Sequence, residues 1–136
     1  DASGNLYFTD DMYHVIRRVD GYTGIITTIA GTGTKGFTPD GSIASESTIS
    51  SPRGLALDTK GQLYFSDTGN NRVRRITENN QLETVIGSGK YGDETEPVSA
   101  RKASLNEPHG LCFYGNNVLL VSDHFNNRLK VLRISA

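Results

Sequence analysis

Ser122, Asp123 and His124 stand side by side, and these are the residue types of a nucleophilic triad. A triad needs nucleophile, base and orienting acid to converge in space. Successive residues of a strand point to opposite faces, so Asp123 is badly placed to orient its own neighbour His124. The spacing predicts no triad. Asp10, Asp67 and Asp123 invite a second reading, as catalytic carboxylates. Each, however, opens the same phrase: "DDMYHVIRRV", "DTGNNRVRRI" and "DHFNNRLKVL". A catalytic centre assembles different residues, whereas repetition at one place is what a turn predicts. Asp67, Asn70 and Asn71, and then Asp123, Asn126 and Asn127, have side chains that bond local backbone, and Asn tolerates positive φ. Arg72 and Arg128 lie five residues after their aspartates and could close each hairpin as an ion pair.

Other sets fail on their own chemistry. "GTGTKG" and "GSGKYG" look like phosphate-cradling loops but lack the Gly-Lys-Ser/Thr spacing and a helix start. Arg17, Arg18, Arg72, Arg74, Arg75, Arg128, Lys130 and Arg133 form a basic band that could grip phosphates. Fifteen acidic residues offset it, the net charge is −1, and no aromatic platform for base stacking accompanies it. Nucleic acid is argued against. The single cysteine, Cys112, cannot form an internal disulfide, leaves the redox compartment open, and reads as a small buried hydrophobe within a strand. No apolar run approaches the ~18 residues of a membrane span.

The elements that carry these residues repeat. Asp67 and Asp123, Pro52 and Pro108, and Gly54 and Gly110 are each 56 residues apart. Upstream, "GNLYFTD" aligns with "GQLYFSD". Each period contains four short runs rich in Val, Ile, Leu, Tyr and Phe, such as "RGLALD", "QLYFS", "RVRRIT" and "LETVI", bounded by turn residues. The expected fold is all-β, about ten strands, with helix limited to a turn or two within 43–49 and 98–105. The "VIRRV" and "RVRRI" runs do not alternate, and arginine stems covering apolar surface on an outer strand would account for that. Four antiparallel strands per repeat make one blade of a β-propeller. The strands fall within 1–31, 52–87 and 108–136, so residues 1–136 amount to about two and a half four-stranded blades. Two loops, 32–51 and 88–107, are long enough to be functional, and Phe37 and Tyr91, read as corresponding residues of the two repeats, are candidate contact residues in them.

The stretch "AGTGTKGFTPDGSIASESTISSPRGLALDTKGQLYFSDTGNNRVRRI" resembles the NHL-repeat family, and the resemblance covers essentially the whole chain. It implies a propeller, usually six-bladed, that works as a binding platform for proteins, ligands or sometimes RNA. Some similar propellers are lyases that hold zinc with channel-mouth histidines in a Pro-His context like that of His109. Catalytic zinc takes about three protein ligands. The position matching His109 in the preceding repeat is Arg53, and His14 and His124 are expected on a different part of the blade. No metal ligand, catalytic residue or cofactor is therefore assigned. Arg53 and His109 are expected on a polar, partly basic channel rim suited to an anionic ligand or an acidic loop. The chain departs from the family pattern at Tyr13 and Val15, at Tyr114, and at His124 and Phe125. The expected function is a non-catalytic scaffold for protein or ligand binding or sensing, part of a larger protein whose further blades close the ring. The alternative is a lyase or hydrolase with a channel-mouth metal site formed largely by blades outside this chain.

Overall fold

The computed structural model describes residues 1–94 and 97–134, and these form ten strands in three antiparallel sheets. The first sheet holds β1 (Leu6–Asp10), β2 (Val15–Val19) and β3 (Ile26–Ala30), in that order. The second holds β4 (Leu55–Leu57), β5 (Leu63–Asp67), β6 (Arg72–Ile76) and β7 (Leu82–Ile86). The third holds β8 (Pro108–Tyr114), β9 (Val118–Asp123) and β10 (Arg128–Arg133). Every strand pairs with its chain neighbour, as short turns between antiparallel strands require.

The apolar core lies between the sheets in two layers. Ile16, Ala30, Ile49, Leu63, Phe65 and Leu82 fill the first. Tyr64, Val73, Leu105, Leu119 and Val121 fill the second. The middle sheet is thus covered on both faces, so its strands need not alternate. Along β6 the side chains of Arg74 and Ile76 face the first layer while that of Val73 faces the second, and all three are buried. The arginine-stem account of this strand is therefore corrected. Arg74 is fully buried, its guanidinium held by Asp67 at 3.4 Å, Asp40 at 3.0 Å and the Thr38 carbonyl at 2.7 Å. Each of β3 and β7 also carries one extra residue opposite its partner, between Ile16/Arg17 and between Val73/Arg74.

The turn after β5 is a single turn of 3₁₀ helix at Thr68–Asn70, closed by Asn71 at φ 52°. The turn after β9 repeats it at His124–Asn126, closed by Asn127 at φ 53°. Asparagine is one of the few residues that enter this left-handed region cheaply. The aspartates act across the chain more than along it. Asp67 Oδ1 accepts the Ser50 N–H at 2.8 Å, and Oδ2 accepts from Asn70 Nδ2 at 2.9 Å. Asp123 takes the Asn106 N–H at 2.7 Å and Asn126 Nδ2 at 2.8 Å. The same asparagines donate to Gly36 and Gly92 carbonyls at 2.9 and 2.7 Å. Each turn therefore clamps the long loop that leads into the first strand of its own sheet. The ion pairs differ from the expected spacing: Asp67 meets Arg74, not Arg72, and Asp123 meets Lys130 at 3.7 Å, not Arg128.

The loops also register differently from the sequence reading. Gly36 and Gly92 occupy matching places, so the counterpart of Phe37 is Asp93, not Tyr91. Phe37 lies under the guanidinium groups of Arg72 and Arg74, at 4.1 and 4.9 Å from the ring centre. Asp93 instead pairs with Arg128 at 3.0 Å. Cys112, expected inside, is exposed on the outer face of the third sheet beside Leu129 (69% exposed) and Val131 (67%). The matching residues of the second sheet, Ala56 and Val73, pack in the second core layer. The strand position was right for burial, but no sheet covers this face among the described residues.

Candidate functional site

Arg53 and His109 begin adjacent inner strands, and their positions are set by hydroxyl groups of neighbouring sheets. Thr9 Oγ1 donates to the Arg53 carbonyl at 3.0 Å, and Ser66 Oγ donates to the His109 carbonyl at 2.7 Å. Ser66 Oγ also accepts the Gly54 N–H at 2.7 Å, which ties β4 to β5 and to β8 through one atom. Thr68 Oγ1 adds a bond to the Pro108 carbonyl at 2.6 Å. Gly54 is required here because a Cβ would come within 2.1 Å of the His109 carbonyl oxygen. The inner strands thus approach backbone to backbone, and their first side chains crowd the same edge of the molecule.

At that edge the structure assembles more than the sequence indicated. His124 was expected apart from His109, yet the two imidazoles stack with centres 4.1 Å apart and planes inclined by 14°. Phe125 follows on the outer side of His124 at 4.7 Å. Arg53 lies against Asp11 at 3.6 Å, an exposed pair too long for a hydrogen bond. His14 accepts the Ser51 N–H at its Nδ1, at 2.9 Å, linking the first sheet's turn to the loop entering β4. The His109–His124 stack arises because the third turn reads "HF" where the second reads "TG", which places an imidazole over the start of its own sheet's inner strand. That departure from the repeat was the one available signal.

The electrostatics follow from this crowding. Burial pushes the His109 imidazole below its ordinary value, and the neighbouring His124 and Arg53 push it further, against a weaker upward pull from Glu107. His109 Nε2 is buried without a hydrogen-bond partner among the described residues. Two nearly parallel rings send their in-plane lone pairs along parallel lines, so the stacked pair does not converge on one ion. Among the described residues no group of three or more His, Cys, Asp or Glu could hold a metal.

The remaining sequence candidates lie in different settings. Tyr91 is 77% exposed, and Phe37 is engaged with arginines as described. Met12, Tyr13 and Phe125 are also exposed, on the turns that carry Asp11 and His124. The clefts between sheets, one lined by Lys60, Tyr64, Arg75, Phe113 and Asn117, involve the turns at the opposite ends of the strands. No helix among the described residues is long and apolar enough to cross a membrane.

The family model described as the Teneurin NHL domain matches residues 35–106, more than half of the chain. The chain is 40% identical over 83 residues to Protein SUPPRESSOR OF QUENCHING 1, chloroplastic, of Arabidopsis thaliana, covering 61% of this chain and 8% of that protein. It is 34% identical over 88 residues to NHL repeat-containing protein 2 of Homo sapiens, covering 63% of this chain and 12% of that protein. Among solved structures it resembles an auxiliary nutrient binding protein from Bacteroides thetaiotaomicron, with TM-score 0.77 and 20% identity over 94% of this chain and 34% of that one. It also resembles a streptogramin B lyase, with TM-score 0.58 and 13% identity over 98% of this chain and 38% of that one. The chain spans about a third of the solved chains it matches and a smaller share of the curated relatives.

Proposed function

Because the chain belongs to the NHL-repeat family, we propose that it is a non-catalytic part of a propeller scaffold that binds a protein or ligand partner. The binding face on this reading is the edge carrying Arg53, His109 and the long loops, with Tyr91 and Phe37 as flanking contacts. The observation that carries it is the density of side chains there whose polar or aromatic heads have little to bind within the chain. Arg53 has one long ion pair, His109 Nε2 has no partner, and Tyr91 projects outward. Elsewhere arginine heads are spent on structure: Arg74 on Asp67 and Asp40, and Arg75 on Glu83 at 2.6 Å and the Tyr64 hydroxyl at 3.2 Å.

On the same reading the bare face of the third sheet is an inter-blade face. Its Cys112, Leu129 and Val131 match positions that in the second sheet face the third, and a further blade of the same or another chain would cover them.

The test is comparative affinity enrichment with three proteins: unaltered, an edge variant (Arg53→Glu with Tyr91→Ser), and an opposite-end variant (Lys60→Glu with Asn117→Asp). Partners lost by the edge variant and kept by the opposite-end variant support the reading. Partners that respond only to the opposite-end changes overturn it.

The meeting of His109 and His124 gives the lyase alternative one supporting observation. It requires His124 to turn so that two nitrogens converge, with further ligands from other blades. Stoichiometric zinc in the purified protein, lost in His109→Asn, would favour it.

A further inference from the structure

We propose that the Arg53–His109–His124 cluster is a proton-dependent seat for a single carboxylate, supplied by an acidic protein segment that also carries apolar side chains. The inference rests on the scaffold reading and specifies the chemistry of its partner.

The groups at this edge come from every element around it. The segment entering β4 contributes Arg53, β8 contributes His109, and the turn after β9 contributes His124 and Phe125. The turn after β1 contributes Asp11, and the residue before β8 is Glu107. With both imidazoles neutral, the carboxylates of Asp11 and Glu107 outnumber the one guanidinium. With both protonated, three cations face two carboxylates. The edge therefore changes sign across the pH range in which histidine titrates.

The donors are available. The guanidinium of Arg53 offers a planar fork, and its present partner Asp11 sits at 3.6 Å in an exposed pair of the kind that contributes little. Neither imidazole has a hydrogen-bonded partner in the protein among the described residues; the His124 ring is exposed, whereas His109 Nε2 is buried. An incoming carboxylate supplies acceptors to the exposed heads of Arg53 and His124, and its charge favours protonation of the adjacent His109. It also relieves the mutual repulsion of the protonated rings, so binding and protonation favour each other.

The surroundings select the source of that carboxylate. Asp11 and Glu107 flank the cluster and repel a polyanion, which sets a single carboxylate above a nucleic acid or a polyphosphate. Met12, Tyr13 and Phe125 are exposed on the turns that carry Asp11 and His124. Aromatic side chains, Met and Arg are the types enriched where proteins meet. A segment pairing Asp or Glu with a bulky apolar neighbour fits both features.

The test reads histidine side-chain NMR signals of the protein during titration with N-acetyl-aspartyl-leucine amide. The asparaginyl analogue, inorganic phosphate and a short oligonucleotide serve as comparison probes. The aspartyl probe is expected to move the His109 and His124 signals, to raise the pH at which His109 titrates, and to bind about tenfold tighter near pH 5.5 than near pH 7.5. Arg53→Gln should weaken it about tenfold. His124→Phe, which keeps a stacked ring, should flatten the pH dependence. A response equal to that of the asparaginyl analogue, or tighter binding of phosphate or the oligonucleotide, overturns the proposal. So does affinity indifferent to pH or to Arg53→Gln. A natural partner that is lost on Tyr91→Ser yet ignores both pH and Arg53→Gln would sink the carboxylate seat and leave the scaffold standing. A partner indifferent to every change at this edge would sink the scaffold reading itself.

Discussion

Replacing Arg74 by alanine should be among the most damaging single changes in this chain, while the same replacement at Lys130, its counterpart 56 residues later, should be mild. Arg74 and Asp67 are both completely buried and lie 3.4 Å apart. Arg74 also holds the Thr38 carbonyl at 2.7 Å and Asp40 at 3.0 Å, and its guanidinium lies over the Phe37 ring. Removing one member of a buried pair leaves an uncompensated charge, at a cost of about 3–5 kcal/mol. The lost bond to Thr38 belongs within that range and is not added to it. Lys130 contacts the buried Asp123 at 3.7 Å and Asp93 at 3.9 Å, both beyond hydrogen-bond length and with its own side chain partly in solvent, so Lys130→Ala should cost clearly less than Arg74→Ala. Urea unfolding at neutral pH compares the two.

Acid provides an internal check. Burial already pushes the Asp67 carboxyl upward, opposed by Asn70, Ser50 and Arg74. That push already prevails with Arg74 in place; without Arg74 it is opposed less, and the folded state binds the proton still more tightly than the unfolded state does. A group raised in this way contributes stability at low pH and loses it as pH rises through the folded value. The Arg74→Ala deficit should therefore shrink on acidification. Equal costs for the two variants, or a deficit that ignores pH, would refute the account of Arg74 as a buried charge partner.

Three further outcomes follow from the same geometry. Gly54→Ala places a Cβ 2.1 Å from the His109 carbonyl oxygen and 2.9 Å from the Leu111 nitrogen, so a loss of about 3 kcal/mol or more is expected in thermal melting, against about 1–2 kcal/mol for Gly115→Ala, which meets no neighbour but holds a φ of 63°; equal losses would refute the role of crowding. His109 titrates below its ordinary value in the folded state, so the unfolded chain binds protons more readily as pH falls. The stability it contributes is present above the ordinary imidazole range and is lost below it, and His109→Asn should flatten this slope in unfolding curves measured across that range. Cys112 should react with a thiol reagent as fast as an exposed thiol in this chain, and slowly in a protein whose further blade covers Leu129 and Val131; equal rates would remove the support for an inter-blade face.

The fold class was legible because its signals are local and repeated. Strand runs, asparagine-closed turns and the spacing of Asp67 and Asp123 recur in register, and each is written in neighbouring residues. Arg53 and His109 could be placed at inner-strand starts for the same reason. Their environment could not. The stack of His109 on His124 joins the two ends of a pair of strands, and sequence spacing assigns those ends to different elements. The pairing of Phe37 with Arg72 and Arg74, and of Asp93 with Arg128, likewise depended on where the loops fold back, which a shift of two residues in the loop alignment concealed.

Alone, the sequence specified a repeated all-β unit of antiparallel strands and the asparagine-closed turns between them, because periodicity and φ preferences act over a few residues. Tertiary structure decided which charges are buried and which heads meet at the edge. Arg74 disappears between sheets while Lys130 at the same repeat position stays partly wet, because burial depends on what packs opposite a strand.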